Sequence, residues 1–134
     1  DWFKNLENNK ISEILGELNK NILDFLKSPD LKIGDKRIVD NKESICRIAH
    51  YYLTMVKNEL GFPLNDVCRF HLKNGAEIDD IVINGNVSEI GFKRSFGVMV
   101  NYNYELKSIE QNHHEYVNDK KVNISKKIKK YVKN

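Results

Sequence analysis

Long apolar runs are the first thing missing from this 134-residue chain. No stretch approaches the roughly 18 apolar residues that a membrane-spanning helix needs, so no such span is expected. Cysteine is scarce too. Cys46 and Cys68 are too few and too far apart for a disulfide scaffold or a zinc knuckle, and read as reduced thiols on the core side. The chain holds no GxGxxG, no P-loop and no GxSxG nucleophile turn, so the common phosphate-cradling and hydrolase signatures are excluded. It starts Asp1-Trp2-Phe3-Lys4 without an initiator Met or an apolar signal core, more like a cut into a longer chain than a natural start. It ends Tyr131-Val132-Lys133-Asn134, without the Ser-Lys-Leu peroxisomal address. Lys far exceeds Arg, and Asn and Ile are abundant. A cytoplasmic protein of bacterial origin, from an AT-rich genome, is the expectation.

Hydrophobic residues make up 40% of the chain, enough to exclude disorder by composition. Charged residues at 31% and a mean hydropathy of −0.56 point to a water-soluble globular piece. The length suits one domain with one core, or part of a larger one. The net charge of +3 is unevenly spread, with seven lysines between Lys120 and Lys133 and acids over Glu77–Asp80. Neither an aromatic ladder nor a nucleic-acid motif accompanies the lysines. They read as a solvated helix face, with no nucleic-acid or membrane partner expected.

Periodicity outlines the elements. Ile11, Ile14, Leu15, Leu18, Ile22, Phe25 and Leu26 predict a helix over residues 9–27, with Trp2, Phe3 and Leu6 in a preceding turn. Pro29 disfavours helical geometry before it and stops that helix. Residues 31–41 read as irregular. Asn41 is a plausible N-cap for a second helix reaching Leu60, with Gly61 and Pro63 ending it. Val67-Cys68-Arg69-Phe70-His71-Leu72 alternates like a strand and Asn74-Gly75 marks a turn. Residues 77–83 and 98–104 predict further strands, residues 88–95 a short helix or turn, and residues 105–116 and 124–132 closing helices. The order is mainly helical over 1–60, strands over 64–104, and helical over 105–134. Three strands with unpaired edges are a liability alone, so further strands are expected upstream.

Four histidines are candidates. His50 sits inside a helix beside two tyrosines and reads as a packing or surface residue. His113-His114-Glu115 is no metal site, because adjacent helical side chains diverge by about 100°. His71 lies before a turn, where a side chain meets a pocket edge, and histidine is suited to general acid or base work near neutral pH. Spacing alone leaves a structural role open for it.

The stretch Val67-Cys68-Arg69-Phe70-His71-Leu72-Lys73-Asn74-Gly75-Ala76 closely resembles the signature of the malonyl-CoA decarboxylase family. Ser88, Gly91, Ser95 and Gly97 follow at matching spacing. Met99-Val100-Asn101-Tyr102-Asn103-Tyr104 resembles that family's Met-Val-Asn-Tyr-x-Tyr block, and Ile109-Glu110-Gln111-Asn112-His113 its next one. The match runs from about Ile45 to the C-terminus. Two departures stand out: Val82-Ile83 replaces the family's Asn-Trp, and acidic Asp79-Asp80 precedes it.

The resemblance implies the C-terminal portion of an N-acetyltransferase-like α/β domain, with helices flanking a short mixed or antiparallel sheet. It implies loss of CO2 from malonyl-CoA to give acetyl-CoA, with the CoA thioester as substrate and no metal or organic cofactor. His71 matches the family's catalytic histidine and Tyr104 the second tyrosine of its block. The serine partner and the CoA-phosphate segment belong upstream of Asp1, so the piece is expected to work with a missing N-terminal segment, in cis or as a separate chain. The complete enzyme is expected to form a homo-oligomer. The alternative is an inactive remnant or CoA-binding module from a split gene. An independent acyltransferase lacks the phosphate loop it needs.

Overall fold

The computed structural model describes residues 8–15, 22–86 and 88–132. The turn expected at Trp2, Phe3 and Leu6, and the part of the first helix around Leu18, lie outside them. Helical spacing of apolar residues builds α1 (Asn8–Leu15) and α2 (Ile22–Leu26), and Ile14, Leu15, Ile22 and Leu26 are buried.

Residues 31–41 are not wholly irregular. Asp35 caps a short helix, α3 (Lys36–Asp40), by accepting from the Arg37 backbone N–H at 2.9 Å. The Arg37 guanidinium binds the same carboxylate, and these hydrogen bonds hold the Asp35 carboxyl down at about 2. Asn41, expected as an N-cap, closes α3 instead: its side-chain amide donates to the Arg37 carbonyl at 2.8 Å. Its own carbonyl accepts from Ile45 N–H and so begins α4 (Lys42–Met55).

That helix stops at Met55 rather than near Leu60. The Asn58 carboxamide oxygen accepts from the N–H groups of Leu60 and Phe62, and an antiparallel bridge joins Lys57 to Pro63. A tight reversal therefore takes over where the helical pattern had been expected to continue.

The main correction falls on Val67–Leu72. These residues are not a strand but most of a helix, α5 (Asp66–Lys73). The Asn65 side chain accepts from Cys68 N–H at 2.9 Å, an N-cap that satisfies one of the helix's free donors. Cys68 and Leu72, four residues apart, are buried, while Val67 and Phe70 are exposed. That is a helical burial pattern. Asn74-Gly75 is correspondingly no hairpin turn. Asn74 is the C-cap and Gly75, at φ +92°, takes the left-handed position that follows a helix end.

The strands expected at residues 77–83 and 98–104 are β1 (Glu77–Val82) and β2 (Met99–Asn103), which pair in a two-stranded antiparallel sheet. Between them lies α6 (Glu89–Ser95). Two strands, rather than three, are thus found among the described residues, in a mixed α/β arrangement. Ile78 also makes a single parallel bridge to Ile124, with Ile78 N–H donating to Asn123 O at 2.9 Å. The expected closing helices are α7 (Ile109–Asp119) and a 3₁₀ helix (Lys126–Tyr131), starting later than their patterns suggested.

The chain divides into two compact units: residues 1–49 with 82–99, and residues 50–81 with 100–134. The first holds the buried residues Ile38, Ile45, Cys46 and Ile48. The second contains α5, most of the sheet, α7 and the 3₁₀ helix, and buries Leu53, Cys68, Leu72, Ile78, Ile81, Tyr116 and Ile128. Within it α5 packs against α7.

Candidate active site

His71 sits in the last turn of α5, Tyr102 lies in β2 and Tyr104 directly follows its last residue, so both tyrosines face the same side. Strand and helix meet at the imidazole. Its Nδ1 is 2.5 Å from the Tyr104 hydroxyl, and the two rings meet edge to face at 5.8 Å between centroids. The Tyr102 ring stacks on the imidazole at 4.2 Å with an interplanar angle of 19°. Phe70 presents an edge-to-face contact at 5.3 Å. Both residues singled out from the sequence, His71 and Tyr104, are therefore in one place, although 33 positions separate them.

A second layer lies beneath them. The Cys68 thiol, one helical turn before His71, lies beside the Tyr102 hydroxyl and donates to the Leu53 carbonyl at 3.9 Å. Burial pushes the Cys68 thiol up to about 11, against the smaller opposing pulls of the Tyr102 hydroxyl and the Lys57 and Arg69 charges. Burial likewise raises the Tyr102 phenol well above the usual tyrosine range, reinforced by Cys68 beside it and by Tyr104. Both groups stay neutral at ordinary pH.

Local backbone contacts fix the end of α5. The Ala76 N–H donates to the His71 carbonyl at 3.1 Å, and Asn112 on α7 donates its side-chain amide to the Gly75 carbonyl at 3.1 Å. His113 Nδ1–H donates to the Lys73 carbonyl, which explains that histidine without any ligand. His114 is exposed, its ring tilted 65° from that of His113, and no cluster of metal ligands occurs among the described residues. His50 is buried, in tilted contact with the Tyr131 ring. The Ser95 hydroxyl donates to the Val98 carbonyl at 3.0 Å and serves a turn.

On its outer side the site is open and apolar. Phe70 is 62% exposed and Tyr104 41%, and Val67 is exposed one turn before Phe70 on α5. The sequence reading missed Tyr102 and Cys68 as members of the site. Read as a strand, Cys68 and His71 fall on opposite faces; on a helix, a separation of three puts them on the same one. The helix signal was Asn65, a good capping residue directly before the segment.

Residues 1–134 match the family model for the malonyl-CoA decarboxylase C-terminal domain. The mitochondrial malonyl-CoA decarboxylase of Anser anser anser is 32% identical over 133 residues, covering 98% of this chain and 26% of the relative. The crystal structure of malonyl-CoA decarboxylase from Rhodopseudomonas palustris superposes with a TM-score of 0.75 at 34% identity, over 82% of this chain and 25% of that one. The one from Agrobacterium vitis gives a TM-score of 0.79 at 27% identity, over 94% of this chain and 33% of that one. The chain spans about a quarter of the length of the curated relatives it matches. With the whole of its length matched, the chain belongs to the malonyl-CoA decarboxylase C-terminal domain family.

Proposed function

We propose that residues 1–134 form the C-terminal portion of the catalytic domain of a malonyl-CoA decarboxylase, an N-acetyltransferase-like α/β domain, and that His71 is its proton donor. The observation that carries this reading is the contact between His71 Nδ1 and the Tyr104 hydroxyl. It joins the two family-signature residues at one open surface.

The reaction breaks the bond between the α-carbon and the carboxylate of the malonyl group. CO2 leaves, and the bonding electron pair becomes an enolate whose negative oxygen sits on the thioester. One proton delivered to the α-carbon completes acetyl-CoA. A protonated imidazole has a donor on each nitrogen. Nδ1–H then donates to the Tyr104 oxygen, and Nε2–H is the proton available to the α-carbon. With its oxygen accepting from His71, Tyr104 can turn its own O–H toward the enolate oxygen, where a placed donor lowers the barrier most. The same two residues therefore divide proton delivery and charge stabilisation. A serine from the segment that precedes these residues in longer relatives is the expected third group, and the exposed Val67 and Phe70 of α5 are the surface that segment would cover.

The test uses the full chain that carries these residues. His71→Asn should lower CO2 release from malonyl-CoA by at least about 10²-fold, while CoA binding stays within a few-fold. Tyr104→Phe should lower it less. Near-normal turnover of the His71→Asn protein would sink the assignment. CoA binding by the full unsubstituted chain with no CO2 release would favour a binding module instead.

A further inference from the structure

We infer that Tyr102 is a positioning residue for His71: it holds the imidazole plane against rotation and so keeps Nδ1 at the Tyr104 hydroxyl. The inference rests on the reading of His71 as proton donor, because only a reacting imidazole needs its two nitrogens told apart.

An imidazole on a helix end turns easily, since its outer torsion has a broad, nearly two-fold preference. Tyr104 alone offers one hydrogen bond, which either a rotated or a flipped ring can trade for water at a site this open. Tyr102 removes that freedom from a different direction. Its ring lies almost flat on the imidazole, 4.2 Å away and tilted by only 19°, so rotation of the imidazole out of this plane drives it into the phenol face. Phe70 closes the edge, at 82° to the imidazole.

A flat neighbour restrains only if it is itself restrained, and the phenol is. Its hydroxyl end lies beside the Cys68 thiol, which is buried and donates to the Leu53 carbonyl of α4. Cys68 has no exposed surface, and His71 is partly exposed one turn away on the same helix. The tyrosine thus lies along α5, its far end fixed in the core by one helical position and its face laid against another. The matching spacings make this possible: three residues on the helix, from Cys68 to His71, and two along the chain leaving β2, from Tyr102 to Tyr104. Tyr102 stacks on the imidazole without hydrogen-bonding either nitrogen, so its role is to position, not to react.

The test compares Tyr102→Leu, Tyr102→Phe and Cys68→Ala in the full chain, read by CO2 release from malonyl-CoA and by the ¹⁵N resonances of labelled His71. Tyr102→Leu should lower kcat by about ten- to hundredfold with little change in KM. Its His71 nitrogens should pass from one dominant tautomer to an exchange-averaged pair. Tyr102→Phe keeps the ring face and should restore most of kcat and most of the tautomer bias, and Cys68→Ala should resemble it. If Tyr102→Leu leaves the His71 nitrogen spectrum unchanged in a folded protein, the clamp is refuted whatever happens to turnover. If both tyrosine variants lose kcat equally with that spectrum unaltered, the role is structural and the inference fails. The nitrogen spectrum needs no turnover, so failure of the proton-donor reading, seen as an active His71→Asn enzyme, is scored separately.

Discussion

Adding one methyl group at Gly75 tests the junction that holds the end of α5, and with it His71. Gly75 has φ +92°, and a Cβ built there would lie 2.4 Å from the Ile109 carbonyl oxygen and 2.8 Å from Ile109 Cγ2. Two costs add. The left-handed backbone costs an alanine about 1–2 kcal/mol. The overlap is with a backbone oxygen at the start of α7, which cannot swing away as a side-chain tip would, and forced shifts of this kind cost about 1–3 kcal/mol. Gly75→Ala should therefore destabilise by about 2–5 kcal/mol. Gly34 supplies the control: it too has a positive φ, +77°, but a Cβ there meets nothing within 4 Å. Gly34→Ala should cost the conformational part alone, about 1–2 kcal/mol. Urea unfolding of both variants, read as a change in midpoint at constant slope, separates the two costs. Turnover should fall in the Gly75 variant as well, because Gly75 N–H bonds Leu72 and Ala76 N–H bonds the His71 carbonyl. A Gly75→Ala protein no less stable than Gly34→Ala would refute the close approach of α7 to the end of α5.

Two further predictions concern the same helix. Asn65→Ala should cost about 1 kcal/mol in urea unfolding by removing the oxygen that accepts from Cys68 N–H, whereas Asn65→Asp should keep the cap. The Cys68 thiol, raised from 9.0 to about 11 in the folded protein, holds its proton more tightly there than in the unfolded chain. Its contribution, about 2–3 kcal/mol, is complete below about pH 9 and is lost as the pH climbs toward 11. Stability measured across that range should fall more steeply in the parent than in Cys68→Ala; parallel curves would contradict the buried thiol.

Several elements were legible because their cause is local. β1 and β2 fall almost where runs of β-branched and aromatic residues put them, and Ile78 and Ile81 are buried. Cys46 and Cys68 are buried thiols, as their spacing and number suggested. His71 and Tyr104 stood out in the sequence through their places in the blocks that resemble the family. The segment Val67–Leu72 was not legible, because six residues of V-C-R-F-H-L fit either period and Asn74-Gly75 serves a hairpin and a helix end equally well. The cap at Asn65 and the packing of α5 against α7 decided it. Residues near Leu60 went the same way: propensity favoured more helix, but the Asn58 side chain offered the backbone a competing set of bonds.

The sequence by itself determined the family, the two strands, the buried thiols and the two residues that carry its signature. Only the tertiary structure decided that those two residues touch and that Tyr102 lies flat on the imidazole. The reason is geometric: whether Cys68 and His71 share a face depends on the helical or extended state of α5, and that state was set by a cap and by α7, not by the alternation of the six residues themselves.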